Sequence, residues 1–220
     1  MKNIVIIGAS GYSRVLISTI EQEKKYKLIG LLDTYKNPGE KILGYEILGP
    51  EEIIPNLVKE RNLFGGVIAI GDNWVRYKVY KRILSIYPKF NFVTIIHPSA
   101  QIGFDVTIGA GSVITAGVVI NPSISIGKQC LLNVNSTISH DSFMGDFSSL
   151  APGATTGGNV KIGDFTAVSL GANIIHGITI GSHTVIGAGS AVVKDIPSYS
   201  VAYGVPAKVI RSRKKGEKYL

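Results

Sequence analysis

From Ile102 to Val192, every sixth residue but one is aliphatic or methionine, and the phase never slips. The series is Ile102, Ile108, Ile114, Ile120, Ile126, Leu132, Ile138, Met144, Leu150, Thr156, Ile162, Val168, Ile174, Ile180, Ile186 and Val192, and only Thr156 breaks it. Ile96 extends the phase back one step. The next position is mostly small, and glycine at Gly103, Gly109, Gly127, Gly145, Gly157, Gly163, Gly181 and Gly187. Four residues after the aliphatic comes a small or β-branched residue, such as Ser112, Ser136, Ser148, Ala154, Thr166 or Thr184. Neither chance nor an ordinary sheet or sandwich holds such a phase over sixteen hexads. The physical solution is a triangular coil with one short strand and one corner per hexad. Three hexads close each 18-residue turn, with aliphatics stacked inward and glycines at the tight corners. This is a left-handed parallel β-helix of about five coils.

Residues 1–95 have a different grammar. Asn3–Gly8, Tyr26–Asp33 and Gly66–Gly71 read as buried strands. Ser13–Lys25, Glu51–Arg61 and Trp74–Tyr87 read as helices, the first from the spacing of Val15, Leu16 and Ile20. Strands alternating with helices predict a parallel sheet with crossovers. The expected fold is a small α/β, Rossmann-like domain over residues 1–95, followed by an all-β left-handed β-helix over 96–203. A basic segment, 204–220, ends the sequence.

Composition narrows the function classes. No apolar run approaches the roughly 18 residues of a membrane span. The opening MKNIVIIGASGYS lacks the long apolar core and cleavage site of a secretory leader, which points to a cytoplasmic protein. One cysteine, Cys130, excludes an internal disulfide or a cysteine metal cluster, and its place in the hexads makes it core. The net charge of +8 asks for an anionic partner, unless the basic tail (Arg211, Arg213, Lys214, Lys215, Lys218) is simply a solvated end. Nucleic acid fits that sign, but no aromatic–basic interleaving or known module supports it.

Coil geometry turns numbers into neighbours. Successive turns stack at about 4.8 Å, so residues 18 apart lie above one another. His140, Gly158 and His176 therefore share a corner, with the histidines roughly 10 Å apart and a groove left at the glycine. Of the four histidines, His97 reads as structural at the domain junction and His183 as solvated. His176 is either a groove wall or an interface residue. His140 lies in the polar run Asn133–Asp141 and is the candidate for proton transfer. Gly8-Ala9-Ser10-Gly11 follows a strand and opens a helix, as a phosphate cradle does, though a structural tight turn fits equally. Asp33 ends the second strand, where an acid often meets a ribose or base.

The hexads, the HDSFMGDF segment (His140–Phe147) and the closing GVPAKVIR (Gly204–Arg211) resemble the hexapeptide-repeat acyltransferases. GASGYS (Gly8–Ser13), AIGDN (Ala69–Asn73) and IHPSA (Ile96–Ala100) narrow this to bacterial sugar acetyltransferases of the sialic-acid O-acetyltransferase type. The nearest members of that group N-acetylate nucleotide-linked 4-amino-4,6-dideoxy sugars. The resemblance covers essentially the whole chain. It implies a homotrimer with acetyl-CoA held between adjacent β-helices and the nucleotide sugar held by the N-terminal domain. It casts His140 as general base, Asp141 as the acid behind it and Asn133 as a further site residue. Ser142 stands where the family has cysteine, and Ser149 where several members have a second histidine that contacts substrates. Nucleotide contacts are implied at Gly8, Ala9, Ser10, Gly11 and Asp33, and again at Gly71, Asp72 and Asn73. Coenzyme contacts are implied at Ser149, Gly158, Gly187, Ala188, Lys208 and Arg211, with no metal. Other readings stay open: O-acetylation of a sialic-acid-like sugar, or a non-catalytic nucleotide-sugar-binding trimer. A zinc carbonic anhydrase would need three shared histidines, nominally His140, His176 and His183. The resemblance at both ends of the chain opposes it.

Overall fold

The computed structural model describes residues 1–219; Leu220, the last residue of the basic segment, lies outside them. Strand β1 (Lys2–Ile7) is apolar and fully buried from Ile4 onward, so it takes the centre of a sheet covered on both faces. It pairs in parallel with β2 (Tyr26–Leu32) on one side and β5 (Leu63–Ile68) on the other. The sheet order is β3-β4-β2-β1-β5-β6, with β3 at Lys41–Ile42, β4 at Tyr45–Gly49 and β6 at Asn91–Phe92. The antiparallel β3–β4 hairpin at the edge turns through Gly44, at φ +86°, and has no counterpart among the expected elements. Helix α1 (Gly11–Glu23) buries Ser13, Leu16, Ile17 and Ile20, while Val15 faces outward. Helices α2 (Ile54–Arg61) and α3 (Asn73–Ile86) complete the layer. Strand order reverses at β1, so the turns after β1 and β5 open a crevice at one sheet end.

From Ile95 onward the chain winds through two-residue strands at an 18-residue register, such as Val113↔Leu131 and Thr155↔Asn173. Three parallel sheets of eight, six and five strands form the faces of a prism; the first ends in the hairpin Ser200–Gly204/Ala207–Ser212. The hexad aliphatics from Ile114 to Val192 are buried, and so is Thr156, whose Oγ1 accepts the Ser139 N–H at 3.2 Å. Ile102 and Ile108 are less enclosed, at the first coil. Cys130 is fully buried, and burial pushes its thiol up to about 11.

The glycines after the aliphatics do not make the corners. None of them has positive φ. A Cβ on Gly103, Gly109, Gly157 or Gly163 would stand 2.4–2.6 Å from the backbone nitrogen of the next coil. They are there for close coil-to-coil approach. The left-handed corner comes two residues later, at positions including Asp105, Gly111, Ser123, Gln129, Asp141, Phe147, Asn159, Phe165 and His183, with φ between 55° and 76°. Corners thus form three columns 18 residues apart.

One column joins the domains. Phe147, Phe165, His183 and Tyr199 stack ring on ring at 5.4, 4.6 and 5.0 Å, nearly parallel. Trp74, Tyr77 and Tyr80 of α3 pack edge-on or tilted against this ladder. His183 is therefore buried, not solvated. Desolvation, with Lys215 and Arg213 nearby, holds its imidazole below the usual histidine range. No helix among the described residues is long and apolar enough to cross a membrane.

Candidate active site

Asp141 is a corner residue at φ +56°. That left-handed turn swings its carboxylate back onto its own neighbour, and His140 Nδ1 lies 2.7 Å from Asp141 Oδ2. Nδ1–H donates to the carboxylate, which leaves Nε2 with the lone pair. The imidazole lies over Gly158, one coil along. A Cβ at Gly158 would be 2.6 Å from both Cε1 and Nε2. The glycine therefore does not leave a groove between two histidines; it provides the bed for one of them. His176 lies at the same corner, exposed. The Gly158→Ala protein is expected to lose about tenfold or more in turnover, because a displacement of about 1 Å at a reacting group is costly. Its thermal midpoint should stay near wild type, which thermal unfolding alongside steady-state rates will check.

Two clefts flank the turn that opens α1. The first, of 340 Å³, is lined by Gly8, Ala9, Ser10 and Asp33, and from α3 by Lys78 and Arg82. Asp33 staples this turn: its carboxylate accepts the N–H groups of Ala9 and Tyr35, both at 2.8 Å. Gly8 takes φ +99°, which brings the chain round to the helix start at Gly11. The free N–H groups of that first turn suit an anion. Lys78 and Arg82 were not singled out from the sequence, which gives only a helix over Trp74–Tyr87 there. Their spacing from Val75 and Val79, which line the same cleft, is the signal that could have found them.

The second cleft, of 530 Å³, lies between that turn and the first β-helix face. Tyr12 and Gly71 line one side, and Asn133, Ser149, Ala151, Val168, Leu170 and Ala188 the other, and Tyr219 also lines it. The Tyr12 hydroxyl is buried with no hydrogen-bond partner among the described residues. Asn133 Nδ2 donates to Leu150 O at 2.9 Å. His140 belongs to the corner opposite this face.

Several expected contacts fall elsewhere. Asn73 is 1% exposed; its Nδ2 donates to Thr166 O and its Oδ1 accepts from Arg76, so it locks the domains together and does not face a ligand. Asp72 caps α3, its side chain accepting Val75 N–H at 2.8 Å. Gly187 packs under Tyr203. Lys208 is exposed on the closing hairpin, whereas Arg211 is paired with Glu217 at 2.6 Å. The basic tail is not a solvated end, since Arg213 is buried. With His183 stacked in the aromatic ladder, a zinc site of His140, His176 and His183 does not form.

Comparison with known proteins agrees with this geometry. Residues 3–83 match the PglD N-terminal domain family. GDP-perosamine N-acetyltransferase of Escherichia coli O157:H7 is 31% identical over 165 residues, which span 70% of each chain. The chain belongs to the nucleotide-amino-sugar N-acetyltransferases. Within this family, UDP-N-acetylbacillosamine N-acetyltransferase of Bacillus subtilis (strain 168) is 34% identical over 124 residues, covering 53% of this chain and 52% of the relative. The likeness extends to whole structures. PerB from Caulobacter crescentus, solved with CoA and GDP-perosamine, superposes with a TM-score of 0.87 at 33% identity, covering 95% of this chain and 97% of PerB. The acetyltransferase domain of PglB from Neisseria gonorrhoeae FA1090, solved with acetyl coenzyme A, gives 0.85 at 26% identity over 95% and 99%. The N-acetyltransferase fold is thus matched along nearly its full length.

Proposed function

We propose that this chain moves the acetyl group of acetyl-CoA to the amine of a nucleotide-linked 4-amino-4,6-dideoxy sugar, as a cytoplasmic homotrimer. The observation that carries the reading is the His140–Asp141 pair, with Nε2 free and bedded on Gly158. The attacking amine nitrogen forms a bond to the thioester carbonyl carbon. Its proton passes to His140 Nε2, the C–S bond breaks, and the proton returns to the departing thiolate. Asp141 holds the Nδ1–H tautomer and stabilises the imidazolium. No covalent enzyme intermediate is needed, in keeping with the buried, unreactive Cys130.

The two clefts support a division of the donor-free substrate. The base and ribose suit the cleft at Asp33, Lys78 and Arg82, and the diphosphate suits the α1 N-terminus. The sugar then enters the 530 Å³ cleft, whose apolar wall of Ala151, Val168 and Leu170 suits a 6-deoxy carbon. His140 lies on the opposite corner, so a neighbouring copy is the one able to bring its base to this cleft. Of the residues the resemblance assigns to the coenzyme, Ala188 and Lys208 are exposed.

The test is CoA thiol release from acetyl-CoA with GDP-, UDP- and dTDP-linked 4-amino-4,6-dideoxy sugars. Release with one of them is expected; silence with all of them, from folded trimeric protein, overturns the assignment. Mixed trimers of His140→Ala and Gly71→Trp chains should regain activity that neither has alone. No regain would place the base and cleft within one chain.

A further inference from the structure

The segment after the closing hairpin folds back across both domains. Arg213 N–H donates to Tyr199 O at 2.7 Å, and its buried guanidinium donates to His183 O and Glu217 O. Glu217 fastens the loop, meeting Arg211 at 2.6 Å and Lys214 N–H at 2.9 Å. Gly216 lies so close to Trp74 that a Cβ there would be 2.4 Å from the indole nitrogen. This path delivers Tyr219 to the lining of the 530 Å³ cleft. Its oxygen accepts the Asn73 N–H at 3.0 Å, with the Ser149 hydroxyl beside it.

We propose that Tyr219 is a positioning and specificity residue for the acceptor sugar, held in place by the clasp Arg213–Tyr219. This rests on reading the cleft as the acceptor site. The phenol oxygen spends one lone pair on Asn73 N–H, which leaves its own O–H to donate. Tyr12 lines the same cleft with its hydroxyl buried, so the donor toward a hydroxyl-rich ligand is assigned to Tyr219. Ser149 and Tyr219 line this cleft side by side.

The test uses the full chain with the nucleotide sugar that supports turnover. Tyr219→Phe keeps the ring and removes the donor, so the KM for the sugar is expected to rise about three- to tenfold, the worth of one neutral hydrogen bond. The KM for acetyl-CoA should hold. Glu217→Gln loosens the clasp without touching the cleft and should shift the same constant in the same direction. If both KM values stay at wild type, Tyr219 does not touch the acceptor. If both rise together with a falling thermal midpoint, the clasp only joins domains, and the proposal fails. Absence of turnover in wild type would instead overturn the acceptor reading itself, and Tyr219's role with it.

Discussion

Turnover by the His140→Ala protein is expected to fall by about 10²- to 10⁴-fold, the usual worth of a positioned general base. Acetyl-CoA binding measured by calorimetry should persist. The side chain is 59% exposed in the single chain, so its removal opens no core cavity, and the thermal midpoint should stay within a degree or two of wild type. Asp141→Asn is the matching test of the second group. Asparagine accepts the left-handed backbone that position 141 requires, so the corner survives while the carboxylate charge is lost. An amide offers the ring no negative charge and no fixed tautomer, so the rate should fall, by less than with His140→Ala. Asp141→Ala would strain the corner and confuse the two effects. A His140→Ala rate within threefold of wild type, under single-turnover conditions, would remove this residue from the chemistry.

What could be read from sequence divides along physical lines. The hexad phase was legible because inward packing of a coil is strictly periodic, and a period survives without any three-dimensional information. His140 and Asp141 were legible as neighbours, but their 2.7 Å contact depends on a left-handed corner at Asp141, a conformation that aspartate favours but that the hexad reading placed at the glycines. The glycine pattern was seen and its cause misread: the strain-tolerant positions are two residues beyond the glycines. A second 18-residue column, Phe147, Phe165 and His183, stood in the sequence just as plainly. Reading only the aliphatic column sent His183 to solvent, when it belongs to the ladder that docks α3. The tail misled because composition reports charge and not destination. Arg213, Glu217 and Tyr219 find their partners only after the coil has brought Tyr199 and His183 near Trp74. Arg76 gave no signal, since an arginine in an amphipathic helix looks like a solvated one.

Arg76→Met is expected to cost about 3–5 kcal/mol of folding stability, the largest stability effect on this chain. Arg76 is wholly buried, and among the described residues no carboxylate pairs with it. Its charge is met by oxygens instead. Nε donates to Gln129 O at 2.9 Å; Nη1 to Ile70 O and Gly71 O at 2.8 and 3.0 Å; Nη2 to Asn73 Oδ1 and Phe147 O at 2.7 and 3.1 Å. Burial lowers its affinity for the proton, but a guanidinium stays charged through such a shift. Methionine fills much of the volume and orphans these acceptors in a buried interface. Lysine keeps a charge there with three donors at one point, so it cannot reach both the coil and the turn after β5, and Arg76→Lys should rescue little. At about 2–4 °C per kcal/mol for a chain of this size, the thermal midpoint should drop by roughly 10 °C. A midpoint within 2 °C of wild type would show that packing alone holds the domains. The consequence reaches the cleft as well. Arg76 ties Gly71, one wall, to the coil corner at Gln129 and Phe147, beside the opposite wall. Even well below its melting point, the Arg76→Met protein should bind the acceptor more weakly than wild type does, because the cleft proposed for the acceptor spans that joint.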